Sequence, residues 1–437
     1  MAISLASSKA RPVPAEHRKN FNHLILDIAW FGVLNGSAIA FIAVYATRLG
    51  ASTFQISLLN ATPAIVNLAF ALPAGRWLQD QRISRATFFS SILHRWFYLL
   101  WIFLPFFLAP QEQVWMIVLL TVLMSIPGTA LAIGFNGLFA ATVPPEWRAQ
   151  IVGVRNAAYA LTSIIVTLIC GRLLDTMPFP AGYQVVFLIG FIGAAMSSAH
   201  LWFIRPADEH RKPGTGKSLG DWAQPGTVSM WQGLRTTVGL RFLMRPRSLS
   251  SRWFNPIKDL NFRNVLILVF AVHLTLFLAV PLFPIYLVRE MGLSDQIIGM
   301  GNSIFYVALF LASTRLDTVT QRFGNRRTMA LGVIIISLYP ALLSVADGAP
   351  LFLFASIMGG TGWALAGGAV GNYVLEKTPD DSRPSYLAWY NMSLQAGILL
   401  GALVAPLLSG WWGLTIGLAF AAVSRFFTGL AIWRARD

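Results

Sequence analysis

Apolar residues along this chain fall into runs of helix length separated by short polar turns. Twelve spans follow from the pattern: 22–47, 54–78, 86–109, 113–142, 148–174, 183–205, 262–289, 294–320, 327–346, 350–376, 384–411 and 413–433. About 20 apolar residues in an α-helix cross the ~30 Å hydrocarbon core of a bilayer, so each run predicts a membrane-spanning helix. Connections such as 110–112 and 347–349 are so short that successive helices must run antiparallel. Prolines and glycines inside the runs (Pro63, Pro127, Gly128, Pro281, Pro284 and Pro406) are tolerated in lipid, where neighbours re-satisfy the backbone, and they predict bends.

The pattern occurs twice. Shifted by 242 residues, 49–85 falls on 291–327: Gly50 on Gly292, Ser52 on Ser294, Ile56 on Ile298, Asn60 on Asn302, Gln79 on Gln321 and Arg85 on Arg327. A second echo relates Asn136, Thr142, Arg148 and Asn156 to Asn372, Thr378, Arg383 and Asn391. Two six-helix halves in the same order and orientation form a parallel repeat about an axis along the membrane normal. The expected organisation is a tail (1–21), a first bundle (22–205), a linker (206–261) and a second bundle (262–434).

Composition agrees with an all-α integral membrane protein: 56% of residues are hydrophobic and only 12% charged. The net charge of +15 does not point to nucleic acid, because of where it sits. Of the 33 Lys and Arg, 26 lie on the side of the N-terminus, four within apolar runs, and three (Arg48, Arg172, Arg289) on the other side. That asymmetry predicts a multi-pass protein of the cell membrane with both termini cytoplasmic. The first 20 residues lack the apolar core of a signal peptide and are expected to form a cytoplasmic tail. The one cysteine, Cys170, precludes an internal disulfide. In the linker, Trp231, Leu234, Val238 and Phe242 interleave with Arg235 and Arg241, which reads either as an amphipathic helix on the inner leaflet or as an ordinary solvated connection.

No catalytic constellation is present: no His-Glu-x-x-His, no Gly-x-Ser-x-Gly, no phosphate-binding loop, and six scattered histidines. No enzyme activity, metal or cofactor is expected, and nothing suggests direct ATP drive.

The duplicated twelve-span plan, the cytoplasmic ends and the central linker resemble the major facilitator superfamily. The most specific local mark is the hairpin after the second span of each half, where that family carries G-x-x-x-D-[RK]-x-G-[RK]-[RK]. The second half keeps Arg322, Gly324, Arg326 and Arg327, with Asp317 in the glycine's place and Gln321 in the acid's. The first half keeps Gly75, has Gln79 at the acid's position with Asp80 beside it, and displaces its basics to Arg82 and Arg85. The resemblance implies that these residues gate the cytoplasmic side, with Asp80 and Asp317 as the acids; alternatively the basics only anchor the loops to anionic headgroups. Two marks of drug/proton antiporters are missing. Met124 stands where their fourth-span arginine would be, and the fifth span offers only Gly171 of the Gly-Pro-x-x-Gly-Gly element.

Ionisable groups within spans are costly and are functional candidates by default. Asp27 is the acid set well inside a span. Because the first helix lines the central cavity in this family, Asp27 is either a proton or cation site, or a counter-ion to Arg95, which with His94 lies at comparable depth in the third span. Arg155, beside Asn156 and with Asn391 as the repeat mate of that asparagine, is expected to have no acid at matching depth once Asp27 is taken. It reads as a holder of an anionic substrate group or as a snorkelling side chain. His273 is a titratable group or a packing residue, and Asn35 and Trp363 are further cavity candidates. The expected function is a secondary active transporter moving a small solute or amphiphile by alternating access, with protons as the candidate coupling ion. Two alternatives are multidrug efflux or lipid flipping, and a non-transporting scaffold, assembly factor or sensor. The expected partners are a small-molecule substrate and the lipid bilayer, with no nucleic acid, and the expected state is a monomer.

Overall fold

Inside a bilayer no water is available to backbone N–H and C=O groups, so a spanning chain must satisfy them within itself. A computed structural model describes residues 15–79, 81–206, 255–379 and 383–435, and among these the regular structure is entirely helical. The first half comprises α1 (Ala15–Leu34, a π-turn Asn35–Ile39, then Ala40–Arg48), α2 (Thr53–Gln79), α3 (Ile83–Phe107), α4 (Pro110–Thr142), α5 (Pro145–Thr176) and α6 (Ala181–Trp202). The second comprises α7 (Leu260–Phe277, then Leu282–Ile285 and a π-turn Tyr286–Glu290), α8 (Asp295–Ser313), α9 (Leu316–Ser344) and α10 (Ala349–Glu376). The run Arg383–Arg434 then divides at Gly413 (φ 82°, ψ 167°) into α11 and α12. The linker residues 207–254, with their expected amphipathic stretch, and Asp80 lie outside the described residues.

Packing within each half repeats. In the first, α1 lies on α5 and α6, α3 on α4 and α6, and α2 on α4; in the second, α7 and α9 pack on the α11–α12 run, and α8 and α9 on α10. The halves meet along two seams, α5 with α8 and α2 with the α11–α12 run. Each bundle has its own core, built on Phe31, Leu34, Phe41, Trp101 and Phe187 in the first and on Phe262, Val269, Val333 and Ile398 in the second. Large apolar side chains also cover the outer surface: Phe107, Trp411 and Phe427 are 80%, 70% and 62% exposed. Such a surface suits hydrocarbon as its solvent.

Two spans differ from the pattern. The seventh, expected to be continuous over 262–289, breaks at 278–281. Pro281 has no N–H to continue the ladder, and the N–H groups of Ala279 and Val280 both turn to Leu276 O (3.3 Å each). The eighth, expected over 294–320, stops at Ser313, where the Ser313 and Thr314 hydroxyls bond back to Leu309 and Leu311 carbonyls. The chain then re-enters a helix at Leu316 and kinks at Gly324 (φ 77°, ψ 163°) before the ninth span.

Candidate translocation site and gate

Three polar assemblies occupy successive levels of the bundle. Nearest the face that carries the chain ends, Asp27 of α1 is 4% exposed and accepts a 2.6 Å hydrogen bond from Ser197 of α6. Its carboxylate lies 3.8 Å from Arg95 Nη2 of α3 and 3.5 Å from Arg155 Nη2 of α5. Arg95 also donates to Ser198 Oγ (2.9 Å), and the Arg155 guanidinium lies over Phe135, 4.6 Å from its centroid. Arg155, expected to have no acidic partner, therefore shares Asp27 with Arg95. Sequence depth placed all three at one level but could not say which way each helix turns its side chain. His94, next to Arg95, points elsewhere, with Nδ1 2.7 Å from Met124 O of α4.

At mid-depth the α1 helix widens into the π-turn that begins at Asn35. Single π-turns within helices frequently mark functional positions. Asn35 Nδ2 donates to Ser163 Oγ of α5 (3.3 Å) and across the halves to Tyr306 Oη of α8 (3.1 Å). Tyr306 meets Tyr159 of α5 edge-on at 6.2 Å, and Tyr159 stacks on Phe31. This is an uncharged, buried cluster of amide, hydroxyl and phenol groups that bridges the two halves.

Towards the far face, the α5–α8 seam is tight because it is glycine-lined: a Cβ on Gly171 would lie 3.1 Å from Asp295 O, and one on Gly299 3.1 Å from Thr167 O. Beyond it the halves are joined by a polar network. Arg48 Nε donates to Asp295 Oδ1 (2.9 Å) and its Nη2 to Leu293 O (3.0 Å), while Tyr183 Oη donates to Asp295 Oδ2 (2.8 Å). In the opposite direction, Arg289 Nη2 donates to Ala51 O (2.7 Å) and Thr47 O (3.3 Å). Arg172 Nη1 donates to Gln296 Oε1 (3.2 Å), and Gln296 N to Asp175 Oδ1 (3.2 Å). The network is reciprocal, since Ala51 and Leu293 are counterparts at the 242-residue shift. Arg48, Arg172 and Arg289, the three basic residues on this side by the charge pattern, all cross between the halves. A cleft of about 660 Å³ lined by Thr47, Arg48, Gly50, Phe179, Val288 and Arg289 opens beside it.

A family model described as Major Facilitator Superfamily matches residues 26–258 and 265–437, nearly the whole described fold. The chain belongs to the major facilitator superfamily. A curated relative, Multidrug resistance protein 2 of Bacillus subtilis (strain 168), is 24% identical over 154 residues, which is 35% of this chain and 38% of that protein. Sugar transport protein MST8 of Oryza sativa subsp. japonica is 29% identical over 136 residues, 30% of this chain and 26% of that one. The chain thus aligns with well under half the length of either relative. Among solved structures, a mutant form of the nucleoside transporter NupG superposes with a TM-score of 0.67 at 14% identity, covering 94% of this chain and 98% of that one. A bacterial homologue of the iron transporter ferroportin, at 13% identity, covers 96% of this chain and 99% of its own in the inward-facing state, with a TM-score of 0.68. In the outward-facing state it gives 0.59, over 95% and 99%.

In this superfamily member several contacts of the second-half hairpin, expected to gate the end-bearing face, lie within that half. Arg326 Nη1 donates to Ile432 O of α12 (3.0 Å), Arg327 lies over Trp433, and Arg322 over Phe323. Asp317 accepts from Gln321 Nε2 (2.9 Å). Asn325 donates to Glu376 at the end of α10 (3.1 Å). In the first half Gly75 is buried and Arg82 and Arg85 are exposed; Gln79 closes α2. Arg82 occupies the repeat position of Gly324 but has φ −67°, so it does not take the left-handed conformation of its repeat mate.

The remaining candidates are dispersed. His273 bonds Val269 O of its own helix (2.8 Å) and packs against Gly397 of α11. Trp363 packs on the second core, Asn156 is half-buried, and Asn391 is 7% exposed with its Oδ1 lacking a partner among the described residues. One turn further on, Gln395 is 1% exposed and neither of its amide atoms has a partner there. Sequence reasoning missed Gln395, Arg425 and the far-face network. For the network, the signal available was that three arginines break the charge bias.

Proposed function

We propose that the protein is a secondary transporter that moves a small polar solute by alternating access, and that the face bearing the chain ends is cytoplasmic. The observation that carries this reading is the far-face network: an arginine from each half reaches a backbone carbonyl of the other, at the repeat-related Leu293 and Ala51, and the glycine-lined seam continues inward to Asn35 and Tyr306. A barrier built on one side of a central polar site is what a two-sided carrier needs, because the same halves must part there in the other half of the cycle. The closer superposition on an inward-facing than on an outward-facing neighbour supports a state closed to the outside. The uncharged groups at mid-depth favour a neutral polar solute over an anion, since Asp27 already occupies both nearby arginines. On this reading Asp27 is a structural counter-ion, and coupling to protons would have to run elsewhere.

The test uses protein reconstituted in liposomes. A thermal-shift panel of sugars, nucleosides and lipophilic drugs selects the solute. Ala51→Cys and Leu293→Cys are then bridged with a short bifunctional thiol reagent, which should abolish uptake, and reductive release should restore it. Uptake that persists with the bridge in place contradicts alternating access. A panel with no stabilising ligand and no uptake favours a non-transporting scaffold.

A further inference from the structure

Arg425 of α12 is the most deeply buried charge among the described residues, at 1% exposure, and it lies within an apolar run. A cation in such a place ordinarily requires an acid. Here three backbone carbonyls hold it: Nη1 donates to Ile336 O of α9 (3.1 Å), and Nη2 to Thr275 O (3.1 Å) and Leu276 O (3.0 Å) of α7. Two of these acceptors have lost their helical donor. The residue four beyond Ile336 is Pro340, which has no N–H. The residue four beyond Thr275 is Ala279, whose N–H goes to Leu276 O where α7 breaks. Unmade backbone bonds are costly in a membrane interior, and carbonyls at the end of a helical segment carry partial negative charge that favours a cation. The guanidinium fork thus replaces two missing backbone donors on two different helices.

Its own seat is rigid. One turn along α12, Gly429 lets the helix approach α9 so closely that a Cβ there would lie 2.6 Å from Ile334 Cγ1. The α7 break it holds separates the helix Leu260–Phe277 from the short distal segment Leu282–Glu290. That distal segment carries Arg289, one arm of the far-face network.

We propose that Arg425 is a positioning residue: it fixes the 278–281 joint of α7 and through it holds the distal segment closed against the first half. The inference rests on the reading of the far-face network as a gate. Loss of Arg425 frees the joint, and the distal segment opens while the bundle stays folded. A plug that merely fills space would alter stability without altering access to the far cleft.

The experiment follows modification of Val288→Cys, in the far cleft, by a hydrophilic maleimide in detergent-solubilised full-length protein; native Cys170 is buried. Arg425→Gln should raise the rate ~3–10-fold, the factor set by one or two lost hydrogen bonds. Adding Pro281→Ala, which returns a backbone N–H to the joint, should bring the rate back towards the parent. Arg425→Lys, which keeps a cation near the carbonyls, covers the case in which the glutamine variant does not fold and should give a smaller rise. Arg48→Ala is the control for the gate itself. If Arg48→Ala raises the rate and no folded Arg425 variant does, the joint proposal is overturned. If Arg48→Ala has no effect, the reading of the network as a gate is overturned instead, and the joint proposal with it.

Discussion

At the scale of single residues, the charges within the spans are compensated in different ways. Asp27 serves two arginines and a serine, whereas Arg425 is held by three carbonyls, two of which have lost their helical donor to a proline and to the α7 break. Removing the acid from the first cluster would take the Asp27 carboxylate away from two buried guanidiniums. Asp27→Asn should therefore cost ~3–5 kcal/mol, read as a lowered melting temperature. Adding Arg95→Gln and Arg155→Gln should recover much of the loss. Unchanged stability together with loss of pH-driven transport would make Asp27 the coupling site instead. Depth counted along the helices made an Asp27–Arg95 pair legible in the sequence. It left Arg155 without an acid because depth carries no information about azimuth. Gln395 provides the converse case, an amide buried with no partner for either atom among the described residues. Replacing it with methionine, of similar shape, should raise stability by ~1–3 kcal/mol, the desolvation cost of an unsatisfied polar group. A fall in melting temperature for Gln395→Met would show that the amide has a bonded role.

Among the elements, helix boundaries were the least legible feature. Hydropathy located every span, but not the π-turn at Asn35 or the break at 278–281. These depend on which carbonyls find donors, and an apolar run reads the same in either case. Prolines 281 and 284 signalled a bend in α7, while Pro63 and Pro127 lie within helices that continue through them. Glycine positions were better guides where φ is positive. Gly324 stood out from the hairpin pattern, and its φ of 77° explains why a glycine is needed there. Gly413 was passed over as the first residue of the last expected span, yet it separates the last two helices. Gly410 and Gly413 form a clean pair, since a Cβ at either would meet nothing within 4 Å and only Gly413 has positive φ. Gly413→Ala should cost ~1–3 kcal/mol in backbone strain, whereas Gly410→Ala, inside a helix, should stabilise by ~0.5–1 kcal/mol. Equal effects in thermal unfolding would contradict this account of the α11–α12 corner.

For the whole molecule, the sequence repeat made the duplicated architecture legible, because an offset of 242 residues recurs over a polar turn, a span and a basic hairpin. It could not reveal how the halves meet. A repeat establishes that Ala51 and Leu293 are equivalent, and says nothing of which arginine reaches each. The second-half hairpin that family resemblance marked as a gate has Arg326 bonded to Ile432 within its own half, whereas the arginines of the far face reach across between the halves. Both observations belong to one conformation of a two-state machine, in which weakening one face should bring the other together. Double electron–electron resonance on two spin-label pairs tests this directly. One pair, Gln111→Cys with Val345→Cys, spans the halves at the far face, and the other, Gln81→Cys with Thr318→Cys, spans them at the face bearing the chain ends; all four positions are exposed. Introducing Arg48→Ala with Asp295→Ala should lengthen the first distance and shorten the second. A far-face distance that lengthens while the other stays fixed, or two distances that do not move, would contradict the account.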